Sequence, residues 1–306
     1  MSLSTYDAFM KFKSRLELSD TEQKDASKRQ KDVRDTIDAD FHIDTSFLTG
    51  SYGRNTKTKP LKDVDIFFVL GANEAHRRNE APAKVLDAFK ATLEKAYGAN
   101  KVDKDGDNRR CVTVEFDSAV PTAAEDGKVL SVDAVPAFKS GGAYEIPDRH
   151  LGQWIKTDPS IHKNKATAKN KQMGGTWVPL VKMLKAWNRS QGKPIKPSFL
   201  IEVMAHDLVQ PTFTSYPDEI RRFFGAAQDA VSQDCWLRTA SIRPDDPGEN
   251  RHRASCTQTG RYASCESSTF RNARQTRRSI EDLARCAWRL FSFEVGRWLG
   301  RLGRGI

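Results

Sequence analysis

The sequence is most constrained by a glycine–serine turn that is followed, after a spacer, by an acidic and then apolar strand. The turn lies in residues 49–56 (TGSYGRNT), and the strand lies in residues 62–70 (KDVDIFFVL). Asp63 and Asp65 are two residues apart, and alternate side chains of a strand point to the same face of a sheet. The pattern therefore predicts two carboxylates side by side on one face.

Two adjacent carboxylates repel each other, and a fold that keeps both ionised usually supplies a divalent cation. Mg²⁺ or Mn²⁺ suits oxygen ligands that are shared with substrate phosphates. In the turn, Gly50 lets the backbone approach a phosphate closely, and Ser51 with the following amides can donate hydrogen bonds to it. The two motifs together predict a phosphate site next to a metal site.

Each motif alone also has an ordinary structural explanation. A lone Asp-Val-Asp is usually an edge strand or a turn, and a lone Gly-Ser is usually only a turn. A third carboxylate follows on a later strand, because residues 129–136 (VLSVDAVP) place Asp133 in a strand-like context. The combination of turn, acid pair and later acidic strand favours function.

This layout resembles the nucleotidyltransferase superfamily typified by DNA polymerase beta. Its pattern is an apolar residue, Gly, Gly or Ser, a spacer, an acid-apolar-acid strand and a third carboxylate on a later strand. Phe47-Leu48, Gly50-Ser51, Asp63, Asp65 and Asp133 match that pattern in order.

Composition limits the partners and the compartment. The chain has 306 residues, 38% hydrophobic content and a formal charge of +10, which favours polyanionic ligands such as nucleotides or nucleic acid. It has neither a signal-peptide apolar region nor a run of about 18 apolar residues, so we expect a soluble, cytoplasmic protein without membrane contact. An odd number of cysteines without framework spacing agrees with a reducing compartment: Cys111, Cys235, Cys256, Cys265 and Cys286.

The first lobe is predicted to be a mixed sheet backed by helices. Residues 1–40 are typical of helix, with a capping box at Ser19–Glu22 and with Val33 and Ile37 facing the body. Residues 80–97 have apolar side chains at helical spacing, and Arg109–Phe116 reads as a strand. Residues 141–170, rich in Gly, Pro and Lys, are predicted to be an irregular loop between lobes.

A second, helical lobe is predicted after this loop. Residues 177–188 form an amphipathic pattern on which Lys182 and Lys185 share a face. Such a pair is normally only solvated, but a nucleotidyltransferase needs cations to neutralise a triphosphate, and this helix is placed to supply one. Ser198 is predicted to be the N-cap of the next helix.

Several further stretches narrow the resemblance to template-independent enzymes, above all the bacterial cGAS/DncV-like (CD-NTase) cyclases of antiphage defence (CBASS). The stretches are Gly-Ser-Tyr-Gly-Arg-Asn-Thr, Lys-Asp-Val-Asp-Ile, Ser-Val-Asp-Ala-Val-Pro-Ala-Phe, Ile-Pro-Asp, Trp-Ile-Lys-Thr-Asp-Pro, Lys-Ala-Trp-Asn and Pro-Ser-Phe-Leu-Ile-Glu-Val. The match covers residues 40–230. One departure is Asn55, where a glycine is common.

The resemblance implies an α+β fold, with a polymerase beta-like sheet lobe, a helical second lobe and the active site in the cleft between them. The domains are predicted at residues 1–160, which include an N-terminal spine helix, at 161–231 for the second lobe, and at 232–306 for an atypical Arg- and Cys-rich tail.

The same resemblance implies residue roles. Asp63, Asp65 and Asp133 are expected to be catalytic and to hold two metals, with Asp133 carrying the metal nearest the nucleophile and accepting the nucleophile's proton. The predicted nucleotide-binding residues are Gly50, Ser51, Tyr52, Arg54, Lys182, Lys185 and Ser198.

The implied reaction is attack of a ribose hydroxyl on the α-phosphorus of a second triphosphate, with loss of pyrophosphate. A second round on the linear intermediate closes a ring. The resemblance implies that such enzymes make a cyclic di- or trinucleotide, a second messenger that activates a separate effector. The implied partners are ribonucleoside triphosphates, ATP among them, and regulatory proteins of the defence operon, with no nucleic-acid template.

The last quarter of the chain follows no family pattern. After Lys196 no lysine occurs, while arginine continues at 16 positions from Arg221 to Arg304. Our hypothesis is that the segment from about Ser232 is a shifted reading frame of a GC-rich gene, or a diverged end. Metal binding is the alternative, although the spacing is loose for zinc; its ligands would be His252, Cys256, Cys265 and Cys235.

Two other function classes stay open at this point. A poly(A)- or tRNA-tailing enzyme would share every catalytic residue, but it should carry an RNA-binding domain beyond the second lobe, and none is recognisable. A binding-only relative, such as an antitoxin or an inactive sensor, usually loses one carboxylate. All three carboxylates are present in the sequence, which favours catalysis.

Overall fold

The computed structural model describes residues 4–116 and 130–232 of the chain. Within them a six-stranded sheet has the strand order β1-β2-β4-β5-β6, and β3 pairs with β4. The strands are β1 (Ile43–Leu48), β2 (Asp63–Leu70), β3 (Val112–Glu115), β4 (Ser131–Ser140), β5 (Ala143–Asp148) and β6 (Gln153–Thr157). The helices are α1 (Thr5–Arg15), α2 (Asp20–Asp40), α3 (Gly50–Gly53), α4 (Pro82–Tyr97), α5 (Pro159–Gln172), α6 (Trp177–Ser190), α7 (Phe199–Leu208) and α8 (Tyr216–Ser232), and a 3-10 helix spans Ala72–Asn79.

The described residues divide into two compact units. One unit, Glu17–Thr167, holds the whole sheet with α2, α3 and α4. The described residues up to Leu16 group with those from Ala168 onward, and this second unit is helical. The predicted α+β class, with a mixed sheet backed by helices and a separate helical part, is confirmed. The predicted domain boundaries at residues 160 and 231 stay predictions.

The larger core cluster of the sheet unit lies on one face of the sheet, and a smaller buried cluster, which includes Phe67 and Val135, lies on the other face. β2 and β4 run parallel to each other, whereas the other strand pairs are antiparallel. Alternate residues of both strands point into the core, where burial stabilises each large apolar side chain by about 1.5–3 kcal/mol. The members with no exposed surface from the two strands and from α2 and α4 are Val64, Ile66, Phe68, Val132, Ala134, Ala26, Val33, Ile37, Leu86, Phe89 and Leu93.

The helix predicted over residues 1–40 is divided in two, because α1 ends at Arg15 and α2 begins at Asp20. The capping box that opens α2 is confirmed: the amide of Ser19 donates to Glu22 Oε2 at 2.8 Å, and the amide of Glu22 donates to Ser19 Oγ at 3.3 Å. This geometry holds Ser19 in an extended conformation. An N-cap residue is not helical, so one continuous helix cannot pass through it.

The predicted irregular loop over residues 141–170 is wrong. Gly141, with φ of +62°, forms the turn into β5, and β5 pairs with β6 before α5 begins. Tyr144 is not isolated, since its ring lies 5.4 Å from that of Phe47, and Trp154 lies 5.1 Å from Phe138. The segment is therefore a β-hairpin with Gly141 in the turn before it, and the rings of Tyr144 and Trp154 connect the hairpin to β1 and β4.

Some predictions fall outside the described residues. The hypotheses of a shifted frame and of a metal site at His252, Cys256, Cys265 and Cys235 concern residues 233–306. No helix within residues 4–116 and 130–232 has the length and apolar character needed to cross a membrane.

Candidate active site

The candidate active site is built on the register of β2 against β4. Asp65 is paired with Asp133 and Asp63 with Ser131, so the two acidic strands meet at the same level of the sheet. Asp65 and Asp133 are half-buried and Asp63 is exposed. Their neighbours Val64 and Val132 point into the core, which directs the carboxylates to the opposite face. The structure therefore brings together the three aspartates that the sequence singled out.

The glycine–serine turn packs directly against one of these carboxylates. The amide of Thr49 donates to the backbone oxygen of Asp65 at 2.9 Å, and the one-turn helix α3 follows at once. Gly50 has φ of +58°, and a Cβ atom there would lie 1.7 Å from Asp65 Oδ2. Glycine is needed at this position for both reasons, because no side chain fits between the turn and the carboxylate.

The backbone conformation at the end of the turn explains why position 55, where a glycine is common in the resembling family, can hold an asparagine. This residue has φ of +60°, a left-handed conformation that glycine adopts freely and that asparagine tolerates better than most residues. The amide of Thr56 donates to the Ser51 carbonyl at 3.0 Å and closes the turn. Asn55 therefore keeps the loop shape that a glycine would give.

The electrostatics of the site favour binding of positive charge. Burial, followed by the charges of Asp133 and Asp63, raises the pKa of Asp65 from 3.8 to about 7, and Arg54 opposes the rise. Burial and the charges of Asp63 and Asp103 raise the pKa of Asp133 to about 6, against a hydrogen bond from Thr113. These carboxylates interact strongly and titrate as a group. A cation placed beside them would relieve the repulsion.

The carboxylates fit a cation whose coordination is completed by substrate. Among residues 4–116 and 130–232 there is no preformed group of three or more His, Cys, Asp or Glu side chains arranged as a metal site. Mg²⁺ commonly takes only one or two carboxylates and completes its coordination with water and substrate phosphates. The raised pKa values of Asp65 and Asp133, together with all-oxygen donors, match that mode of binding.

Tyr52 and Arg54 lie in the same turn but in different surroundings. The ring of Tyr52 packs against the sheet core, and Lys57 Nζ lies 4.4 Å from its centroid. Arg54 acts on Asp65, since its charge lowers the pKa of that carboxyl. Arg54 is thus a cation close to the acid group, whereas Tyr52 is partly a packing residue.

The predicted cations of the second unit are buried. Lys182 is 4% exposed, and the side chain of Lys185, 9% exposed, donates to Glu202 Oε1 at 3.0 Å. A solvated lysine face is therefore excluded for α6. Ser198 is the exposed N-cap residue of α7, as predicted by position, but its side chain makes no capping hydrogen bond.

Sequence reasoning missed one polar residue of the site. Thr113 of β3 lies opposite Asp133, and its hydroxyl donates to Asp133 Oδ1 at 2.6 Å. The strand around it was predicted, but the sequence alone does not give the register that puts Thr113 beside the acid.

The raised pKa of Asp65 predicts how stability depends on pH. The free energy of unfolding that is linked to protonation of Asp65 is fully present below about pH 4. It is lost as the pH rises through about 7, because the folded protein then carries an unfavourable negative charge at Asp65. In EDTA, Asp65→Asn should raise the free energy of unfolding at pH 8 by on the order of 1–3 kcal/mol and change it little at pH 4. Denaturant unfolding at both pH values measures this.

Asp105→Asn is the matched control, since Asp105 is exposed in the same unit. It should leave the free energy of unfolding nearly unchanged at both pH values. An equal gain for Asp65→Asn at pH 4 and pH 8 would contradict the electrostatic explanation.

Gly50→Ala should damage the site more than its backbone conformation alone explains. The added Cβ would strain a left-handed residue by about 1–2 kcal/mol and would also displace the Asp65 carboxylate. Gly141→Ala is the control, since Gly141 has φ of +62° with open space around its Cβ position. Thermal melting of the two variants with and without Mn²⁺ compares them, and we expect Mn²⁺ to stabilise only the Gly141 variant. Equal stabilisation of the Gly50 and Gly141 variants by Mn²⁺ would show that Gly50 has no role in the metal site.

Comparison with known proteins agrees with this geometry. The family of second messenger oligonucleotide or dinucleotide synthetase (SMODS) domains matches residues 1–170. A cyclic AMP-AMP-AMP synthase of Acinetobacter sp. is 32% identical over 218 residues, which cover 66% of this chain and 58% of the relative. Another of Escherichia coli strain MS 115-1 is 26% identical over 199 residues, or 60% and 57% of the two chains. The chain spans somewhat over half the length of the curated relatives it matches.

Solved structures show the same fold. The CdnC structure in complex with HORMA-deltaN, from E. coli MS115-1, has a TM-score of 0.62 and 19% identity and covers 96% of this chain and 93% of its own. The CdnE cyclic dinucleotide synthase of Elizabethkingia meningoseptica, solved with GTP and Apcpp, has a TM-score of 0.61 and 15% identity and covers 95% and 100%. Since the family match takes in more than half of the chain and contains Gly50, Asp63, Asp65 and Asp133, the chain belongs to the SMODS family of second messenger synthetase domains.

Proposed function

We propose that this chain is a template-independent nucleotidyltransferase that joins ribonucleoside triphosphates into a cyclic di- or trinucleotide. The observation that carries the proposal is the Asp65–Asp133 register pair with Gly50 packed against Asp65. The names of the Acinetobacter and E. coli relatives support ATP as one substrate. Such triphosphates are cytoplasmic, and we place the activity there.

Asp63, Asp65 and Asp133 would hold the divalent cations, Mg²⁺ or Mn²⁺. When bound, these ions would neutralise phosphate charge and lower the pKa of the acceptor hydroxyl. The half-buried Asp65 and Asp133 stand where their repulsion disfavours the ionised pair, so cation binding would be favourable. The exposed Asp63 would complete the group from the start of β2.

The reaction would join the acceptor ribose oxygen to the α-phosphorus of the donor and break the bond to pyrophosphate. Asp133 would accept the proton that the hydroxyl loses, since burial and neighbouring charges give it a raised pKa. For a cyclic dinucleotide, a second transfer within the linear intermediate would close the ring and release a second pyrophosphate. For a cyclic trinucleotide, the second transfer would add a third nucleotide, and a third transfer would close the ring with release of a third pyrophosphate.

The turn would bind the donor's triphosphate. Gly50 would let the backbone of α3 approach the phosphates, and Ser51 would donate its hydroxyl to them. Arg54, whose charge already acts on Asp65, would add a positive charge next to the phosphates. Tyr52 would support the turn from the core and present its ring edge to the nucleotide.

The second unit would contribute Lys182, Lys185 and Ser198. The exposed hydroxyl of Ser198 is available to a phosphate because it makes no capping hydrogen bond. Lys185 would reach a phosphate only in competition with Glu202, which holds its ammonium at 3.0 Å. Glu202 would then keep the lysine charged and oriented before the nucleotide binds.

Regulatory partners are also part of the proposal. The CdnC structure of the same fold was solved in complex with HORMA-deltaN, and we propose that a regulatory protein controls this chain as well. The cyclic product would activate a separate effector of antiphage defence. Genes for both partners would lie beside this one.

The product distinguishes this proposal from an RNA-tailing enzyme. Ring closure consumes both ends of the intermediate, so the product has no terminal phosphate. Incubation with all four ribonucleotides and Mg²⁺ or Mn²⁺ should give short labelled species that resist phosphatase. Separation by thin-layer chromatography and mass determination would identify them.

Asp63→Ala with Asp65→Ala is the negative control for this assay and should reduce incorporation to background. Extension of an added RNA into a ladder, without phosphatase-resistant products, would overturn the cyclase in favour of a tailing enzyme. Activity above a few per cent in the double variant would remove the two aspartates from the mechanism.

Lys185→Ala tests the second unit. Loss of one charge-assisted phosphate contact should weaken ATP binding by up to about 10–150-fold, which corresponds to roughly 1.5–3 kcal/mol, and by less where the displaced Glu202 contact offsets part of that gain. Removing a partner of the buried Lys185–Glu202 pair should also lower the melting temperature. Calorimetric titration with a non-hydrolysable ATP analogue measures the first effect, and thermal unfolding measures the second.

Glu202→Gln is the comparison variant, because it breaks the same ion pair but keeps the lysine. It should lower stability while leaving most of the ATP affinity. If Lys185→Ala binds ATP as tightly as the unmodified protein, the lysine has only the structural role.

A further inference from the structure

A hydrogen-bond network behind Asp133 has no part in the roles described so far. It runs from Asp103 through Asn108 and Thr113 to the Asp133 carboxylate. We propose that Thr113 is a positioning residue that fixes the orientation of Asp133, and that Asp103 and Asn108 fix the direction of the Thr113 hydroxyl. This inference rests on the proposed function, in which Asp133 holds a cation and accepts the proton of the acceptor hydroxyl.

The first step is the contact between Thr113 and Asp133. The two residues are paired across β3 and β4, and Thr113 Oγ1 donates to Asp133 Oδ1 at 2.6 Å. Within the described residues this is the hydrogen bond that the Asp133 carboxylate receives. One oxygen is thus held by the protein, and the other is left for a ligand. An aspartate carboxylate turns broadly about its terminal torsion, so this contact restricts its orientation.

The second step is the direction of the Thr113 hydroxyl. A hydroxyl has one proton to donate and can rotate to several acceptors. Asn108 Nδ2 donates to Thr113 Oγ1 at 2.9 Å and also to Asp103 Oδ1 at 2.8 Å. Because the asparagine approaches Thr113 as a donor, the hydroxyl proton is directed elsewhere, and Asp133 Oδ1 is its acceptor. The side-chain amide therefore sets the polarity of the network.

The third step is the anchoring of Asp103. Its amide donates to the Thr113 carbonyl at 2.9 Å, and its Oδ1 accepts from the Thr113 amide at 2.8 Å. Asp103 is 7% exposed and adopts φ of +44°, a conformation unusual for a residue other than glycine. These bonds tie the segment before β3 to the strand. Asp103 therefore holds the Asn108 side chain in the position from which Asn108 donates to Thr113.

A purely structural role would not require the threonine hydroxyl. The backbone bonds between Asp103 and Thr113 would by themselves tie the loop to β3, and valine would pack in the strand as well as threonine. The hydroxyl instead points its proton at an acid of the candidate site. Partners of this kind that orient a metal-binding carboxylate typically change metal affinity or activity by about 10–100-fold when they are removed.

The test compares Thr113→Val, which removes the hydroxyl at nearly constant volume, with Thr113→Ser, which keeps it. Thr92→Val is the matched control, because the Thr92 hydroxyl also donates to a carboxylate, that of Asp40, at 2.8 Å, but on α4 and at the end of α2. Mn²⁺ binding is measured by electron paramagnetic resonance in the presence of a non-hydrolysable ATP analogue. Turnover kinetics and thermal unfolding are measured on the same proteins.

Thr113→Val should weaken Mn²⁺ binding by about 10–100-fold and lower kcat, with little change in the donor KM at saturating Mn²⁺. Thr113→Ser and Thr92→Val should bind Mn²⁺ within about threefold of the unmodified protein. Asn108→Ala should weaken Mn²⁺ binding in the same direction as Thr113→Val, which tests the network with a second variant. Asn108→Ala also provides the test of the network if Thr113→Val does not fold.

Equal Mn²⁺ affinity in Thr113→Val, Asn108→Ala and the unmodified protein would overturn the positioning role. A fall in melting temperature without a change in Mn²⁺ binding would have the same meaning, since it indicates a structural hydroxyl. If the unmodified protein binds Mn²⁺ but forms no cyclic product, the proposed function fails and the positioning role is still decided by the binding series. Absence of Mn²⁺ binding in the unmodified protein would overturn both.

Discussion

The repulsion between Asp65 and Asp133 is the constraint on which the site depends. The parallel ladder of β2 and β4 fixes the two acids at one level, and the apolar neighbours of each are buried on the opposite face. A slip of one residue would exchange core and site faces in a strand, at the cost of burying a carboxylate. The hydrophobic core therefore fixes the positions of two charges that would otherwise separate.

Other features of the sheet unit follow from that arrangement. Gly50 lies so close to Asp65 that the turn excludes any side chain there, and Arg54 partly offsets the acid's charge. On the other side, Thr113 engages one oxygen of Asp133. The protein thus constrains Asp65 sterically and Asp133 by hydrogen bonding, while their raised pKa values reflect the cost of ionising both groups side by side. A cation bound beside them would lower that cost.

Sequence reasoning succeeded where the signal is local. The acid spacing of β2, the periodicity of α4 and the capping box at Ser19 each depend on residues within one or two turns or one strand, and all three appear in the structure. It failed over residues 141–170, where strands β5 and β6 are stabilised by contacts of Tyr144 and Trp154 with distant rings. It also missed Thr113, whose role depends on a strand register that no local pattern gives.

The predicted cation Lys185 and the predicted carboxylates Asp65 and Asp133 differ in how far the protein already compensates their charges. This difference determines how much each would gain from binding a ligand. Lys185 already has Glu202 as a buried partner, so a phosphate that binds it must replace an existing ion pair, and the net gain is only the difference between two charge-assisted contacts. Asp65 and Asp133 are compensated less completely, since Arg54 and the Thr113 hydroxyl only partly oppose the rise in their pKa values, and a cation that binds them would relieve the remaining repulsion. If these residues hold a metal–triphosphate complex as proposed, most of the electrostatic free energy of binding would therefore come from the carboxylates. Lys185 would add less, because its ammonium already donates a hydrogen bond to Glu202.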